Sequence, residues 1–112
     1  PIAEKIRMVK GAARKHRCVV LLKGKTDIIS DGKRVFLNRT GNARMTVGGT
    51  GDVLAGLCTG FIALGMEPLH AACAAAFVNG GIGDWLLGKM GYSFIASDFI
   101  MEIPSWTKKF VR

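Results

Sequence analysis

A glycine cluster directly before an apolar helical segment constrains this chain more than any other feature. Gly48, Gly49 and Gly51 fall within four residues, and apolar side chains then recur at helical spacing. Glycine lets a backbone approach a ligand closely. The free N–H groups and the dipole at a helix start favour an anion such as phosphate. The segment therefore predicts a loop that leads into a helix and binds an anionic group.

The predicted anion hole consists of Gly49, Thr50 and Gly51, and Asp52 follows it directly. A carboxylate beside a bound phosphoryl group can accept the proton of an attacking hydroxyl. The alternative is a glycine-rich connection in which Thr50 or Asp52 caps the helix. Taken alone, these residues leave both interpretations open.

A second polar segment, from Lys23 to Asp27, follows a short apolar run at residues 18–22. The run is β-branched at its centre and predicts a strand that is buried on both faces. Ligands of open α/β sheets bind at the carboxyl ends of strands, where lysines can neutralise phosphate. An exposed basic turn is the alternative. A P-loop is excluded because Val19 stands where that motif requires glycine.

The order of elements predicts an α/β fold. An amphipathic helix at residues 2–16 precedes the buried strand, which together resemble half of a parallel α/β unit. Residues 27–30 and 34–37 flank Asp31-Gly32 and predict a β-hairpin. A parallel sheet needs more strands than these, so we expect the chain to be part of a larger domain or to assemble with other copies.

Three helical stretches follow the glycine cluster. Gly65 is expected to end the first, Pro68 to begin the second, and Ser97 to cap the last. Within the second stretch, Asn79 and Asp84 lie among several glycines. This arrangement fits either a cleft or close helix packing, and the sequence does not decide between them.

Composition narrows the classes of protein. Apolar residues make up 49% of the chain and charged residues 21%, which is typical of a globular domain. Residues 1–44 carry 12 of the 16 Lys and Arg side chains and three acidic ones, a net charge of +9. This imbalance favours anionic partners. The aromatic residues do not alternate with Lys and Arg, which argues against nucleic acid, although a basic nucleic-acid-binding module stays an alternative.

The cysteines, Cys18, Cys58 and Cys73, stand at unrelated spacings in apolar stretches. They predict reduced, buried thiols in a cytoplasmic protein. His16 and His70 are the only histidines, so we assign no metal-ligating residues. The longest apolar region, residues 53–78, is interrupted by glycine, glutamate, proline and histidine, and we expect no membrane span.

The segments that carry a resemblance to a known family are Val20-Leu21-Leu22-Lys23-Gly24, Thr40-Gly41-Asn42 with Met45, and Gly48-Gly49-Thr50-Gly51-Asp52 followed by Val53-Leu54-Ala55-Gly56. Together they resemble the ribokinase-like superfamily, and most of all its NAD(P)H-hydrate dehydratase branch. The resemblance spans nearly the whole chain. It implies a three-layer αβα sandwich, of which residues 1–112 would form a single C-terminal portion.

The resemblance further implies a lyase that converts hydrated NADH or NADPH back to NADH or NADPH. ADP or ATP would phosphorylate the hydrate hydroxyl, and phosphate would then leave. The implied nucleotide-binding residues are Lys23, Gly24, Lys25, Thr26, Asp27 and, through its backbone, Gly51. Asp52 would contact the hydrate and act as the base, and Mg²⁺ would shield the nucleotide phosphates. The chain departs from the family at Asp27, where Thr is frequent, and at Arg44, where a small residue is usual.

A small-molecule kinase of the same fold, acting on a sugar or a vitamin precursor, would use the same glycine loop. The expected partners are small-molecule nucleotides, with neither nucleic acid nor a membrane. An incomplete sheet would leave the apolar faces of the helices uncovered. We therefore expect a homo-oligomer, or association with the N-terminal part of the domain, and a marginally folded chain in isolation.

Overall fold

A computed structural model describes residues 1–42, 45 and 47–110 of the chain. Its helices and strands are α1 (Ile2–His16), β1 (Val20–Leu22), β2 (Asp27–Ser30), β3 (Val35–Asn38), α2 (Thr50–Ala63), α3 (Pro68–Met90) and α4 (Ala96–Thr107). Short 3₁₀ turns follow α3 and α4. Within these described ranges, no helix has both the length and the apolar character that crossing a membrane would need.

The three strands form an antiparallel sheet in the order β1-β2-β3. Residues 23–26 join β1 to β2, and so short a turn permits only antiparallel pairing. The prediction that residues 18–22 form a strand buried on both faces in a parallel unit is therefore wrong for the described chain. β1 lies at the sheet edge, where Leu22 is 42% exposed. The central strand is β2.

Helices cover both faces of the sheet. Successive strand residues point to opposite faces, and both Ile28 and Ile29 of β2 are buried. Ile29 packs in one cluster with Leu54 of α2 and Leu69 of α3. On the other face, α1 lies against β1 and β2. This arrangement of helix, sheet and helices confirms the predicted α/β layering.

The predicted hairpin is confirmed, with β2 as expected and β3 one residue later than expected. Gly32 has a φ of 96°, which favours glycine. The Asp31 carboxylate accepts hydrogen bonds from the backbone N–H groups of Arg34 (2.8 Å) and Lys33 (2.9 Å). These bonds, together with the Arg34 guanidinium, hold the pKa of Asp31 well below its usual value.

The predicted helix boundaries hold with one exception. α2 ends at Ala63, and Gly65 follows with a φ of 97°, while Pro68 is the first residue of α3. The prediction that Ser97 caps the last helix is wrong. α4 begins one residue earlier, and the Asp98 carboxylate accepts the N–H of Ile95 at 2.8 Å.

The cysteines are less buried than predicted. Cys18 is exposed, and Cys58 and Cys73 are partly buried. Burial raises the pKa of the Cys73 thiol, and the nearby Glu67 carboxylate raises it further. All three thiols are free, as expected for reduced cysteines.

Candidate functional site

A cavity of about 790 Å³ opens between the β1–β2 turn, the loop after β3 and the middle of α3. The predicted nucleotide-binding segment lies entirely on its wall. The lining residues are Lys23, Gly24, Lys25, Thr26, Asp27, Arg39, Thr40, Gly41, Asn42, Met45, Leu54, Ala76, Asn79 and Gly80. The wall includes three cationic side chains and, among the described residues, one carboxylate. The cavity therefore favours an anionic ligand.

Asp27, the carboxylate on the described part of the wall, is held by hydrogen bonds within the fold. Its Oδ1 accepts the N–H of Gly24 at 3.1 Å, which closes the β1–β2 turn. Its Oδ2 accepts the Asn38 amide at 2.9 Å, and the same amide donates to the carbonyl of Ala76 at 3.1 Å. Asp27 thus joins the turn to β3 and α3. Its place in the nucleotide-binding segment stays a prediction, and its side chain serves to position that segment.

Lys23 connects this cavity to the start of α2. Its Nζ lies 3.4 Å from the position that a Cβ would take at Gly51. The first N–H groups of a helix have no partner within the helix, so a cation there adds to their attraction for an anion. The fold thus brings together two predicted nucleotide-binding residues that are far apart in sequence.

Hydrogen bonds from Thr50 hold the glycine loop in shape. Thr50 is 2% exposed, and its hydroxyl donates to the carbonyls of Met45 (2.7 Å) and Val47 (3.1 Å). Gly49 has a φ of 96°, and a Cβ there would lie 2.7 Å from the Cβ of Ala96. The helix begins at Thr50 with Gly49 as its N-cap and no side-chain cap, so the interpretation of Thr50 or Asp52 as a cap is wrong. Within the predicted anion hole, the backbone N–H of Thr50 donates to the carbonyl of Val47 at 3.5 Å, so both donors of Thr50 serve the loop itself.

Asp52 lies in the first turn of α2 and is exposed. It lines a second depression, a groove of about 820 Å³ between α2 and α4. Most of the groove is apolar, with Phe61, Leu64 and Ile100 on its walls. The groove includes Asp52 and Val53 of the first turn of α2, and the cavity approaches the same turn through Lys23, whose Nζ stands against Gly51. A phosphoryl donor in one and an acceptor in the other would meet at this helix start.

The loop after β3 docks on a face of α3 that glycines leave open. A Cβ at Gly80 would lie 2.7 Å from the backbone of Thr40, and one at Gly83 would lie 2.8 Å from Met45 Cγ. The Asp84 carboxylate accepts the N–H of Gly41 at 2.9 Å. Asp84 therefore serves helix–loop packing, whereas Asn79 lines the cavity, so each of the two alternatives left open by the sequence holds for one of these residues.

The sequence prediction missed several cavity residues. Arg39, Thr40 and Asn42 come from the loop after β3, and Gly80 comes from α3, where it follows Asn79, which the sequence left open as a cleft residue. The available signal was the polar and glycine-rich composition of residues 79–84, which also fits helix packing. Arg44, the departure noted in the same loop, lies outside the described residues.

Three known proteins show what the chain is similar to. It is 53% identical over 96 residues to the bifunctional NAD(P)H-hydrate repair enzyme Nnr of Archaeoglobus fulgidus, covering 86% of this chain and 20% of that protein. The ADP/ATP-dependent NAD(P)H-hydrate dehydratase of Bacillus subtilis, co-crystallised with ATP and Mg²⁺, superposes with a TM-score of 0.89 at 26% identity. That match covers 96% of this chain and 40% of the bacterial one.

A ribokinase-like superfamily protein of Enterococcus faecalis also superposes, with a TM-score of 0.78 and 31% identity, covering 98% of this chain and 37% of that one. The predicted ribokinase-like fold is thereby confirmed. The chain spans well under half the length of these three proteins. The sequence profile of the NAD(P)H-hydrate dehydratase family matches residues 2–105. The chain therefore belongs to the NAD(P)H-hydrate dehydratase family.

Proposed function

We propose that the chain forms the nucleotide-binding part of an ADP- or ATP-dependent NAD(P)H-hydrate dehydratase, a lyase that restores NADH and NADPH from their hydrates. One observation carries the proposal: Lys23 Nζ stands against Gly51 at the start of α2, and Asp52 is the next residue. A cation, free helix N–H groups and a carboxylate thus meet between a cationic cavity and a second groove.

The geometry supports a phosphoryl transfer at this helix start. Lys23 and the backbone of Gly51 would bind the terminal phosphate of the nucleotide and stabilise the charge that develops on it. The Asp52 carboxylate would take the proton of the hydrate hydroxyl as its oxygen attacks phosphorus. With ADP, AMP leaves. The C–O bond of the phosphorylated hydrate then breaks, phosphate departs with the bonding electrons, and loss of a proton restores the dihydronicotinamide ring.

Mg²⁺ is expected as a partner of the nucleotide. Among the described residues, no group of three or more His, Cys, Asp or Glu side chains could form a protein cage for it. Mg²⁺ is usually held by phosphate oxygens, water and one or two carboxylates, so it does not need a cage of this kind. Bound there, the ion would reduce the negative charge of the phosphates.

The groove between α2 and α4 supports a covering partner. Leu64 is 86% exposed and Ile100 is 58% exposed, so a large apolar surface faces solvent. We propose that the remaining N-terminal part of the domain, or a second copy of the chain, covers it. A chain that sediments as a monomer and melts sharply would contradict this.

The free thiols are the support for a reducing, cytoplasmic location.

A small-molecule kinase of the same fold is the second candidate, favoured by the similarity to the ribokinase-like protein of Enterococcus faecalis. The same helix start would serve a sugar or a vitamin precursor. The third reading, a nucleic-acid-binding module, predicts binding that weakens steeply with salt and does not respond to Asp52→Asn.

The test is recovery of NADH from its hydrate, with ADP, with ATP and without nucleotide. The assay is run on this chain and on the full-length protein that contains it. Recovery that requires nucleotide and is lost on Asp52→Asn supports the dehydratase. Phosphate transfer to another small alcohol without NADH recovery would assign the kinase. If the full-length protein shows neither activity, the proposal is overturned.

A further inference from the structure

Asn79, on α3, carries a buried hydrogen-bond acceptor that no described residue uses. The residue is 2% exposed and lines the cationic cavity. Its amide nitrogen donates to the carbonyl of Thr50, at 3.5 Å. Its Oδ1 is buried and has no partner within the described residues. Buried acceptors without a partner are uncommon because they lose their hydration without replacement.

The orientation of this amide is fixed by its neighbour. Turning the Asn79 side chain over would place Oδ1 against the Thr50 carbonyl, and two acceptors would then face each other. The nitrogen therefore points to α2, and Oδ1 is the unpartnered atom of a residue that lines the cavity. Thr50 precedes Gly51, so the acceptor lies beside the helix start that the proposed function uses.

We propose that Oδ1 of Asn79 accepts a hydrogen bond from the nucleoside part of the bound nucleotide; this inference rests on the proposed function. An acceptor requires a donor, and ionised phosphate groups offer acceptors only. The donors of an adenine nucleotide are the ribose hydroxyls and the amino group of the base. Asn79 is therefore a specificity-determining residue, which raises the affinity for a ligand that carries a hydrogen-bond donor at this point.

The walls around Asn79 suit a nucleoside. Ala76 lies one helical turn before Asn79 on the same side of α3, and Leu54 of α2 packs against it. Gly80 and Met45 complete this part of the lining. An apolar surface with one polar group that fixes orientation is a common form of ligand site.

The first test is the variant Asn79→Leu, which keeps the approximate shape and removes both polar atoms. Removing an unsatisfied acceptor should leave the melting temperature of the unliganded chain unchanged or higher. The affinity for ADP, measured by calorimetry on the full chain, should fall about 3- to 10-fold, the worth of one hydrogen bond. Asn79→Ala provides a smaller second variant. Ser30→Ala is the control, because Ser30 is buried away from the cavity and should lower stability without changing ADP affinity.

Nucleotide analogues then identify the donor. If the base amino group is the donor, the native chain prefers ADP to inosine diphosphate, and Asn79→Leu binds both alike. If a ribose hydroxyl is the donor, the same loss of preference appears with 2′-deoxy-ADP or 3′-deoxy-ADP. Variants that keep every native preference, or weaken all the analogues by one factor, overturn the inference while the proposed function stands. A full-length native protein that binds none of these nucleotides overturns both.

Discussion

Lys23 Nζ lies 3.4 Å from the place where a Cβ would stand at Gly51, so the lysine ammonium closes over the start of α2. The contact joins the end of the edge strand to the helix that carries Asp52. The contact also explains why residue 51 is a glycine. A side chain at position 51 would stand between the ammonium and any phosphate that approaches the helix N–H groups.

Gly51→Ala should separate binding from stability. The added methyl meets Lys23 at an ordinary contact distance, and alanine favours a helix by about 0.5–1 kcal/mol over glycine, so the free energy of unfolding should not fall. Nucleotide affinity should fall about tenfold, because the methyl displaces the phosphate from the N–H groups. Gly88→Ala is the matched control: nothing lies within 4 Å of its Cβ position, and affinity should not change.

Gly80→Ala should destabilise the fold. Its Cβ would lie 2.7 Å from the carbonyl of Thr40, and backbone cannot move aside as a flexible side chain can. Overpacking of this kind lowers the free energy of unfolding by about 1–3 kcal/mol. Urea unfolding of Gly80→Ala beside Gly88→Ala measures the effect, and equal midpoints for the two variants would contradict the described docking of the loop on α3.

Asp31 should make the stability of the folded chain depend on pH in the acidic range. Its pKa in the folded chain is lowered, so the ionised carboxylate stabilises the hairpin above the ordinary value of 3.8. This stabilisation is lost as the pH falls below that value towards the folded pKa. Melting temperature should therefore drop more steeply on acidification for the native chain than for Asp31→Asn. Parallel curves for the two would show that the turn does not depend on this charge.

The elements that sequence patterns predicted correctly depend on local chemistry. Asp31-Gly32 specifies its turn because glycine accepts the positive φ, and Gly65 and Pro68 separate α2 from α3 for equally local reasons. The burial of β1 was predicted wrongly because an apolar strand has the same sequence pattern at the centre of a sheet as at its edge. What lies beside it decides its exposure, and that is not a local property.

The same distinction applies to the site. The turn at residues 23–27 and the glycine loop are continuous in sequence, so each was recognisable alone. The contribution of Asn79 depends on how α3 packs against α2, and that of Arg39 on where the loop after β3 docks. Neither relationship follows from spacing along the chain.

The most direct test of the central claim is the effect of Asp52→Asn on catalysis and on nucleotide binding in the uninterrupted gene product. Asp52 is exposed at the helix start, outside the lining of the nucleotide cavity. The substitution should therefore leave ADP affinity within about twofold, while NADH recovery from the hydrate slows about 10²- to 10⁴-fold, as expected for loss of a general base. Recovery at the native rate would contradict the assignment of Asp52, and with it the account of this helix start as the place where the phosphoryl group is transferred.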